Sequence, residues 1–118
     1  MNQSKRIDPL LRRAQEHEDE VARDLADRQR ALETNQSRLE ELRRYAEEYA
    51  SAQMAATSPV QLMNRCAFLD RLDGAVQQQA QTVDRSREKV EAERARLLLA
   101  SRDKQVLEQL AASYRAQE

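Results

Sequence analysis

Apolar residues recur along the chain at alternating steps of three and four, in two long blocks separated by a short stretch with helix-breaking signals. This spacing is the heptad pattern of helices that pack along a narrow seam. The first block contains Leu11, Ala14, Glu18, Val21, Leu25, Arg28, Leu32, Asn35, Leu39, Leu42, Ala46, Tyr49 and Gln53. The second contains Leu62, Arg65, Leu69, Leu72, Val76, Gln79, Val83, Ser86, Val90, Glu93, Leu97, Ala100, Lys104, Leu107, Ala111 and Tyr114. Heptads on both sides of a short turn predict helices that fold back on each other.

Two signals mark where the helices start. Asp8 can cap free backbone N–H groups, and Pro9 suits a first helical position because its missing N–H would be unpaired there. Ser58, followed by Pro59 and Gln61, has the pattern of a capping box at the start of the second helix.

These signals predict an all-α fold, a two-helix antiparallel coiled-coil hairpin that forms a single domain over 9–118. Its first helix covers 9–56, its turn 57–58 and its second helix 59–118, and residues 1–8 form a flexible N-terminal arm. A tight turn at this place puts Asn35 opposite Gln79, so that two polar side chains share one layer of the seam and fix its register.

The layers farther from the turn are less favourable. Val21 faces Glu93 and Glu18 faces Leu97, which predicts looser packing at that end of the hairpin.

Composition and charge exclude several classes of function. Charged residues make up 35% of the 118 residues, and the net charge of −1 is made of evenly mixed signs. Without a basic patch, binding to nucleic acid or to an anionic membrane is disfavoured. No apolar run is long enough for direct membrane insertion or for a signal peptide. The lone Cys66 indicates a reducing, cytoplasmic setting.

The sequence also lacks the constellations that catalysis or cofactor binding needs. His17 is the single histidine and is interpreted as part of a solvated helix face, while Cys66 has no accompanying base and is interpreted as a small packing residue. We expect no enzymatic activity, no catalytic residue, no metal and no cofactor, since two helices cannot build a pocket that excludes water. Gly74 is either a weak point of its helix or a place where a partner approaches closely.

Three of the four aromatic residues lie near the predicted turn. Tyr49 falls in the seam, and Tyr45 and Phe68 flank the seam across from each other. Side chains that flank a two-helix seam remain largely exposed, so these rings predict an apolar patch of the kind that binds a partner. The alternative is that the rings only thicken a thin end of the hairpin.

Two segments give the chain a resemblance to a known family. Residues 42–49, LRRYAEEY, resemble the L-x-x-Y-x-x-x-Y run of the flagellar FliJ family, and residues 68–79, FLDRLDGAVQQQ, resemble its F-x-x-x-L-x-x-A segment. The opening pair Leu10-Leu11 and residues 104–110, KQVLEQL, also fit. The resemblance therefore covers essentially the whole chain.

The resemblance implies a non-enzymatic coiled-coil adaptor of the flagellar type III export apparatus, similar to the central stalk of rotary ATPases. The implied partners are the hexameric export ATPase, the cytoplasmic region of the membrane export-gate protein, and the export chaperones. The resemblance implies that the adaptor helps to recycle these chaperones. The implied location is the cytoplasm, with peripheral association with the inner membrane through the export apparatus, and the chain is expected to be a monomer in solution. The competing hypothesis is a structural scaffold or spacer whose role is self-association.

The family's gate-binding cluster maps onto partner-binding residues in both predicted helices. They are Leu42, Tyr45, Tyr49, Phe68, Leu72, Ala75 and Gln79. The sequence departs from the family where Arg38 and Gln79 stand in place of the Gln and His that other members can carry. Because family members run longer, a C-terminal extension is expected to be missing after Glu118.

Overall fold

The computed structural model describes residues 3–52 and 58–118, and nearly all of them lie in two long helices. Helix α1 is Gln3–Ser51 and helix α2 is Pro59–Gln117. The described residues contain no strand, and the all-α helical hairpin predicted from the heptads is confirmed. Residues 53–56 of the predicted first helix, and Thr57 of the predicted turn, lie outside the described residues.

The start of α1 differs from the prediction, because the helix begins at Gln3 and passes through Pro9. A flexible arm over 1–8 is therefore wrong for residues 3–8. Ser4 and Ile7 are only 7% and 5% exposed, which continues the seam toward the N-terminus. The Ser4 backbone N–H and hydroxyl donate to the Glu118 carboxylate, at 3.1 and 2.9 Å. Pro9 cannot donate one backbone hydrogen bond of the helix, and the contacts of Ser4 hold the helical residues that precede it.

Helix α2 begins at Pro59, as the capping signal predicts. The Ser58 N–H donates to Gln61 Oε1 at 3.1 Å, and the Gln61 N–H donates to Ser58 Oγ at 3.2 Å. This reciprocal pair satisfies two backbone donors that the first turn of a helix leaves without partners. The capping box is therefore confirmed.

The chain packs as two compact units, each containing a segment of both helices. Unit 1 is Met1–Gln29 with Glu88–Glu118, and unit 2 is Arg30–Arg87. The buried apolar residues of unit 1 are Ile7, Val21, Val90, Ala100 and Ala111. The loose layer expected at Val21 is wrong, since this side chain is completely buried. Glu93 is accommodated because Arg96 holds its carboxylate at 2.7 Å.

A polar cluster crosses the seam of unit 1 at Glu18. Its carboxylate accepts from the Ser101 hydroxyl at 2.8 Å and from the Lys104 ammonium at 2.9 Å. The sequence placed Glu18 opposite Leu97, so its partners Ser101 and Lys104 lie about one and about two helical turns farther along α2 than predicted. A carboxylate against a leucine would lose hydration without gaining a partner, and Glu18 instead reaches the nearest donors.

This cluster makes unit 1 sensitive to acid. The hydrogen bonds from Lys104 and Ser101 lower the pKa of Glu18 below its ordinary value. Its contribution to stability is therefore present above the ordinary glutamate pKa and is lost as the pH falls through the lower, folded-state pKa. We expect Glu18→Gln to unfold at a lower temperature than wild type at neutral pH. The difference in unfolding temperature between the two proteins should become smaller as the pH falls. A difference that stays constant with pH would contradict this role of Glu18.

Unit 2 has its own polar layer in the seam. The Asn35 amide donates to Ser86 Oγ at 2.7 Å, and the Gln79 amide donates to the Asn35 backbone carbonyl at 3.0 Å. The predicted contact between Asn35 and Gln79 is confirmed, although it joins an amide to a carbonyl and not two amides. Leu39, Leu72 and Val83 are the buried apolar residues of this unit.

One predicted seam residue of unit 2 lies outside the seam. Leu62 is 52% exposed, whereas the heptad pattern placed it in the first layer after the turn. Helix α1 ends at Ser51, before Gln53, the residue that the heptad pattern places opposite Leu62 and that lies outside the described residues.

Candidate partner-binding surface

Three aromatic rings meet in unit 2, as the sequence predicts. Tyr45 and Tyr49 stand one turn apart on α1, and their ring centroids are 6.4 Å apart. Phe68 of α2 stacks edge-on against both rings, at 4.6 Å from Tyr49 and 6.5 Å from Tyr45. These are favourable geometries for aromatic pairs. The rings form one cluster built by both helices, which is here called the ring cluster.

The ring cluster is open to solvent on the side of Tyr45. Tyr45 is 49% exposed, while Tyr49 and Phe68 are half-buried. The neighbouring Leu72 is only 8% exposed and belongs to the seam. Tyr49 therefore lies in the seam and Tyr45 on its flank, as predicted, and a large aromatic side chain is left for contact with something outside the hairpin.

A groove of about 420 Å³ opens beside Tyr45. It is lined by Arg38, Glu41, Leu42, Tyr45 and Gln79. The hydrogen bond from Gln79 to the Asn35 carbonyl fixes the position of its side chain at the groove. The groove thus joins an apolar wall to a cation, an anion and an amide, a mixture suited to recognising a peptide segment.

Two arginines of α2 add positive charge to the ring cluster. Arg65 Cζ lies 5.6 Å from the centroid of the Tyr49 ring, and Arg71 Cζ lies 6.0 Å from that of Phe68. At these distances the guanidinium groups are attracted to the ring faces. The surface therefore has an aromatic centre with cationic neighbours, a composition enriched at binding hot spots.

All seven residues predicted to bind a partner lie in unit 2. Leu42, Tyr45 and Gln79 line the groove, Tyr49 and Phe68 belong to the ring cluster, and Leu72 is buried in the seam. Ala75 is half-buried on α2. The structure places them in one unit but does not show what they bind.

Sequence reasoning named Arg38 only as a departure from the family at the edge of the surface, and it did not assign Glu41, Arg65 or Arg71 to the surface. Spacing could have found two of them: Arg38 stands one heptad before Tyr45, and Glu41 one turn before it. Residues at these intervals lie on the same side of a helix. The heptad pattern puts Arg65 in the seam opposite Tyr49, which the contacts between these two residues bear out, whereas Arg71 gives no comparable signal.

A second exposed apolar group lies on α2 in unit 1. Leu98, Leu99, Val106 and Leu110 are 55%, 57%, 62% and 40% exposed. Leu99, Val106 and Leu110 follow each other at intervals of seven and four, so they share one face of the helix. The sequence reasoning missed this face because the positions lie outside the seam heptads.

The other residues singled out from the sequence have varied surroundings. His17 is exposed, as expected for a solvated helix face. Cys66 is exposed as well, so its interpretation as a packing residue is wrong. A side chain at Gly74 would meet nothing within 4 Å, so no close packing inside the hairpin requires a glycine there.

The described part of the chain has neither a metal-binding group nor a transmembrane helix. Over residues 3–52 and 58–118, no group of His, Cys, Asp and Glu could hold a metal ion. Neither α1 nor α2 has an apolar stretch that could cross a bilayer.

Comparison with known proteins gives one result. The family model described as "Flagellar FliJ protein" matches residues 3–118, nearly the whole chain. Comparisons with curated proteins and with solved structures give no match. A family match of this extent, on a helical hairpin with the expected aromatic cluster, shows that the chain belongs to the flagellar FliJ protein family and is a component of the flagellar export apparatus.

Proposed function

We propose that this protein is a non-enzymatic adaptor that links the hexameric export ATPase to the cytoplasmic region of the membrane export-gate protein. The observation that carries the proposal is the ring cluster of unit 2, half open to solvent beside a groove, on a chain of the FliJ family. Through these contacts the protein is peripherally associated with the inner membrane.

The ring cluster and its groove are the proposed site for the export-gate protein. Tyr45 offers a large, rigid and half-exposed ring, and Leu42 adds an apolar wall. Burying such a ring in a partner removes apolar area from water at a small cost in side-chain entropy, which is why tyrosines are frequent hot spots. Arg38, Glu41 and Gln79 supply polar contacts that select the partner.

The proposed contact with the export ATPase lies in unit 1. There, α1 carries exposed Arg12 and Arg13 at an open groove of about 400 Å³, which Pro9, Leu10 and Glu16 also line. Exposed cations next to an apolar surface are suited to bind an acidic surface inside a ring-shaped partner. Recycling of export chaperones belongs to the same proposal and rests on the family alone.

Charge reversal should separate the two sites. We expect Arg12→Glu/Arg13→Glu to weaken stimulation of the ATPase and to leave binding to the gate protein at the wild-type level. The matched control is Arg85→Glu/Arg87→Glu, two exposed arginines of unit 2. Equal loss of stimulation in both variants would contradict a contact specific to unit 1.

A structural scaffold that self-associates is the second candidate function. The exposed face of Leu99, Val106 and Leu110 favours it, because such a face can be covered by a second copy of the chain. Sedimentation equilibrium distinguishes the candidates. An adaptor is expected to be monomeric, whereas a scaffold would form oligomers that Leu99→Asp/Val106→Asp dissociates.

The direct test of the adaptor is a pull-down with the purified cytoplasmic region of the gate protein. Wild type is expected to retain this region, and Tyr45→Ala/Phe68→Ala is expected to lose it. Tyr114→Ala, which changes a half-buried tyrosine of unit 1, serves as the control and should bind normally. Retention of the gate protein by Tyr45→Ala/Phe68→Ala would reject the proposed surface.

A further inference from the structure

The C-terminus of α1 needs hydrogen-bond donors from outside the helix. The last four carbonyls of an α-helix have no intrahelical partner and carry the negative end of the helix dipole. Helix α1 has no basic residue in its last turn to complement them. Within that turn, the Ser51 hydroxyl donates to the Glu48 carbonyl at 3.2 Å.

Among the described residues, one side chain of α2 supplies donors to this helix end. Arg65 Nη2 lies 3.1 Å from the Tyr49 carbonyl, 3.0 Å from that of Ala50 and 2.9 Å from that of Ala52. Two N–H groups serve three acceptors, so one of the bonds is shared. The positive charge also opposes the dipole of α1 where its negative end is strongest.

The same guanidinium also contacts the ring cluster. Arg65 Cζ lies 5.6 Å from the Tyr49 ring centroid, and that ring lies 4.6 Å from Phe68. Arg65 and Phe68 stand three residues apart on α2, so they present their side chains on neighbouring parts of one face. Arg65 thus holds Tyr49 at both its backbone carbonyl and its ring. Phe68 packs against the same ring.

We propose that Arg65 is a positioning residue of the partner-binding surface: it fixes the end of α1, and through Tyr49 it holds the ring cluster in the arrangement that binds. The inference rests on the proposed binding of the gate protein by this surface. It assigns Arg65 an effect on affinity that acts through α1, because its Nη2 donors are directed to the α1 carbonyls.

Removal of Arg65 should therefore weaken binding to the gate protein, because fewer molecules would have the ring cluster in the arrangement that binds. Without donors, the last turn of α1 frays and Tyr49 loses its fixed place. If the competent arrangement falls to about one tenth of the molecules, the apparent Kd for the cytoplasmic region of the gate protein rises about tenfold. Arg65→Lys keeps a charge but not the planar fork, so its Kd should lie between those of wild type and Arg65→Ala.

Two measurements distinguish positioning from a general effect on folding. Amide hydrogen exchange in the free protein should accelerate in residues 46–51 of Arg65→Ala, with little change in unit 1. In binding, the effect of Arg65→Ala should shrink to about threefold or less when Tyr49 is already leucine, since coupled residues are not additive. An effect that is merely structural would raise the Kd by the same factor in both backgrounds and would overturn the proposal.

The controls separate this inference from the function on which it rests. Arg85→Ala, at an exposed arginine of the same helix, should bind as wild type. If Tyr45→Ala/Phe68→Ala loses binding while Arg65→Ala and Arg65→Lys both bind as wild type, the positioning role is wrong and the surface stands. If Tyr45→Ala/Phe68→Ala binds normally, the surface is wrong and the role of Arg65 fails with it.

Discussion

Leu72→Ala is expected to lower the free energy of unfolding by about 2–5 kcal/mol, the usual cost of a leucine deletion in a well-packed site. Leu72 is 8% exposed and is one of the few buried leucines of unit 2. Such a loss is a large fraction of the total stability of a small domain. Leu11→Ala should cost less, because Leu11 is only half-buried.

Urea unfolding followed by circular dichroism measures both costs. Leu98→Ala, at a leucine that is 55% exposed, is the control and should unfold nearly as wild type. If Leu11→Ala costs as much as Leu72→Ala, burial in the two-helix seam does not set the stability of the hairpin. Leu72→Ala should also weaken binding to the gate protein, because Leu72 stands one helical turn after Phe68 on α2 and is buried in the same unit.

Tyr45→Ala and Phe68→Ala are expected to separate binding from folding. Tyr45 is 49% exposed, so its removal takes little from the packed seam. A partner that buries the ring would lose upwards of about 2 kcal/mol per hot-spot residue, or about 30-fold in affinity. Each variant should therefore keep near-wild-type helicity and lose gate-protein binding, and with it motility.

A further variant and a further assay test whether the effect is confined to the exposed rings and to the gate protein. Tyr49→Ala should harm both folding and binding, because Tyr49 also fills the seam and packs on Phe68 at 4.6 Å. Stimulation of the ATPase should survive Tyr45→Ala and Phe68→Ala, since its proposed contact lies in unit 1. Loss of stimulation in these variants would mean that one surface serves both partners.

The seam could be predicted from the sequence because burial in a two-helix structure follows the heptad directly. Val21, Val83, Val90 and Ala111 all occupy predicted seam positions and are nearly or completely buried. The start of α2 was equally accessible, since the capping box between Ser58 and Gln61 is a local interaction.

The start of α1 and the partners of Glu18 could not be predicted in the same way. The capping signal at Asp8 and Pro9 is local, but residues 3–8 are held in the helix partly by Glu118, which is remote in sequence. Likewise, Glu18 reaches Ser101 and Lys104 by extending along the seam. Pairing residues across the seam by their register does not consider how far a long polar side chain can extend along it.

The positions of the aromatic rings in the candidate site could be predicted from the sequence, whereas the contacts of its charged side chains could not. The heptad places Tyr45 and Phe68 on the flanks of the seam and Tyr49 within it, which the structure bears out. The role of Arg65 depends on where α1 ends, because its acceptors are the carbonyls of that end. The heptad places Arg65 opposite Tyr49, but it does not show where α1 ends, so the hydrogen bonds to the carbonyls of that end could not be predicted.

The central claim is that the ring cluster binds the export-gate protein without being needed for the fold. Its most direct test is titration calorimetry of Tyr45→Ala/Phe68→Ala with the purified cytoplasmic region of the gate protein, with circular dichroism on the same samples. We predict wild-type helicity together with an affinity at least about 30-fold weaker. Wild-type affinity would contradict the assignment of the surface, and a loss of helicity would show that the rings belong to the core.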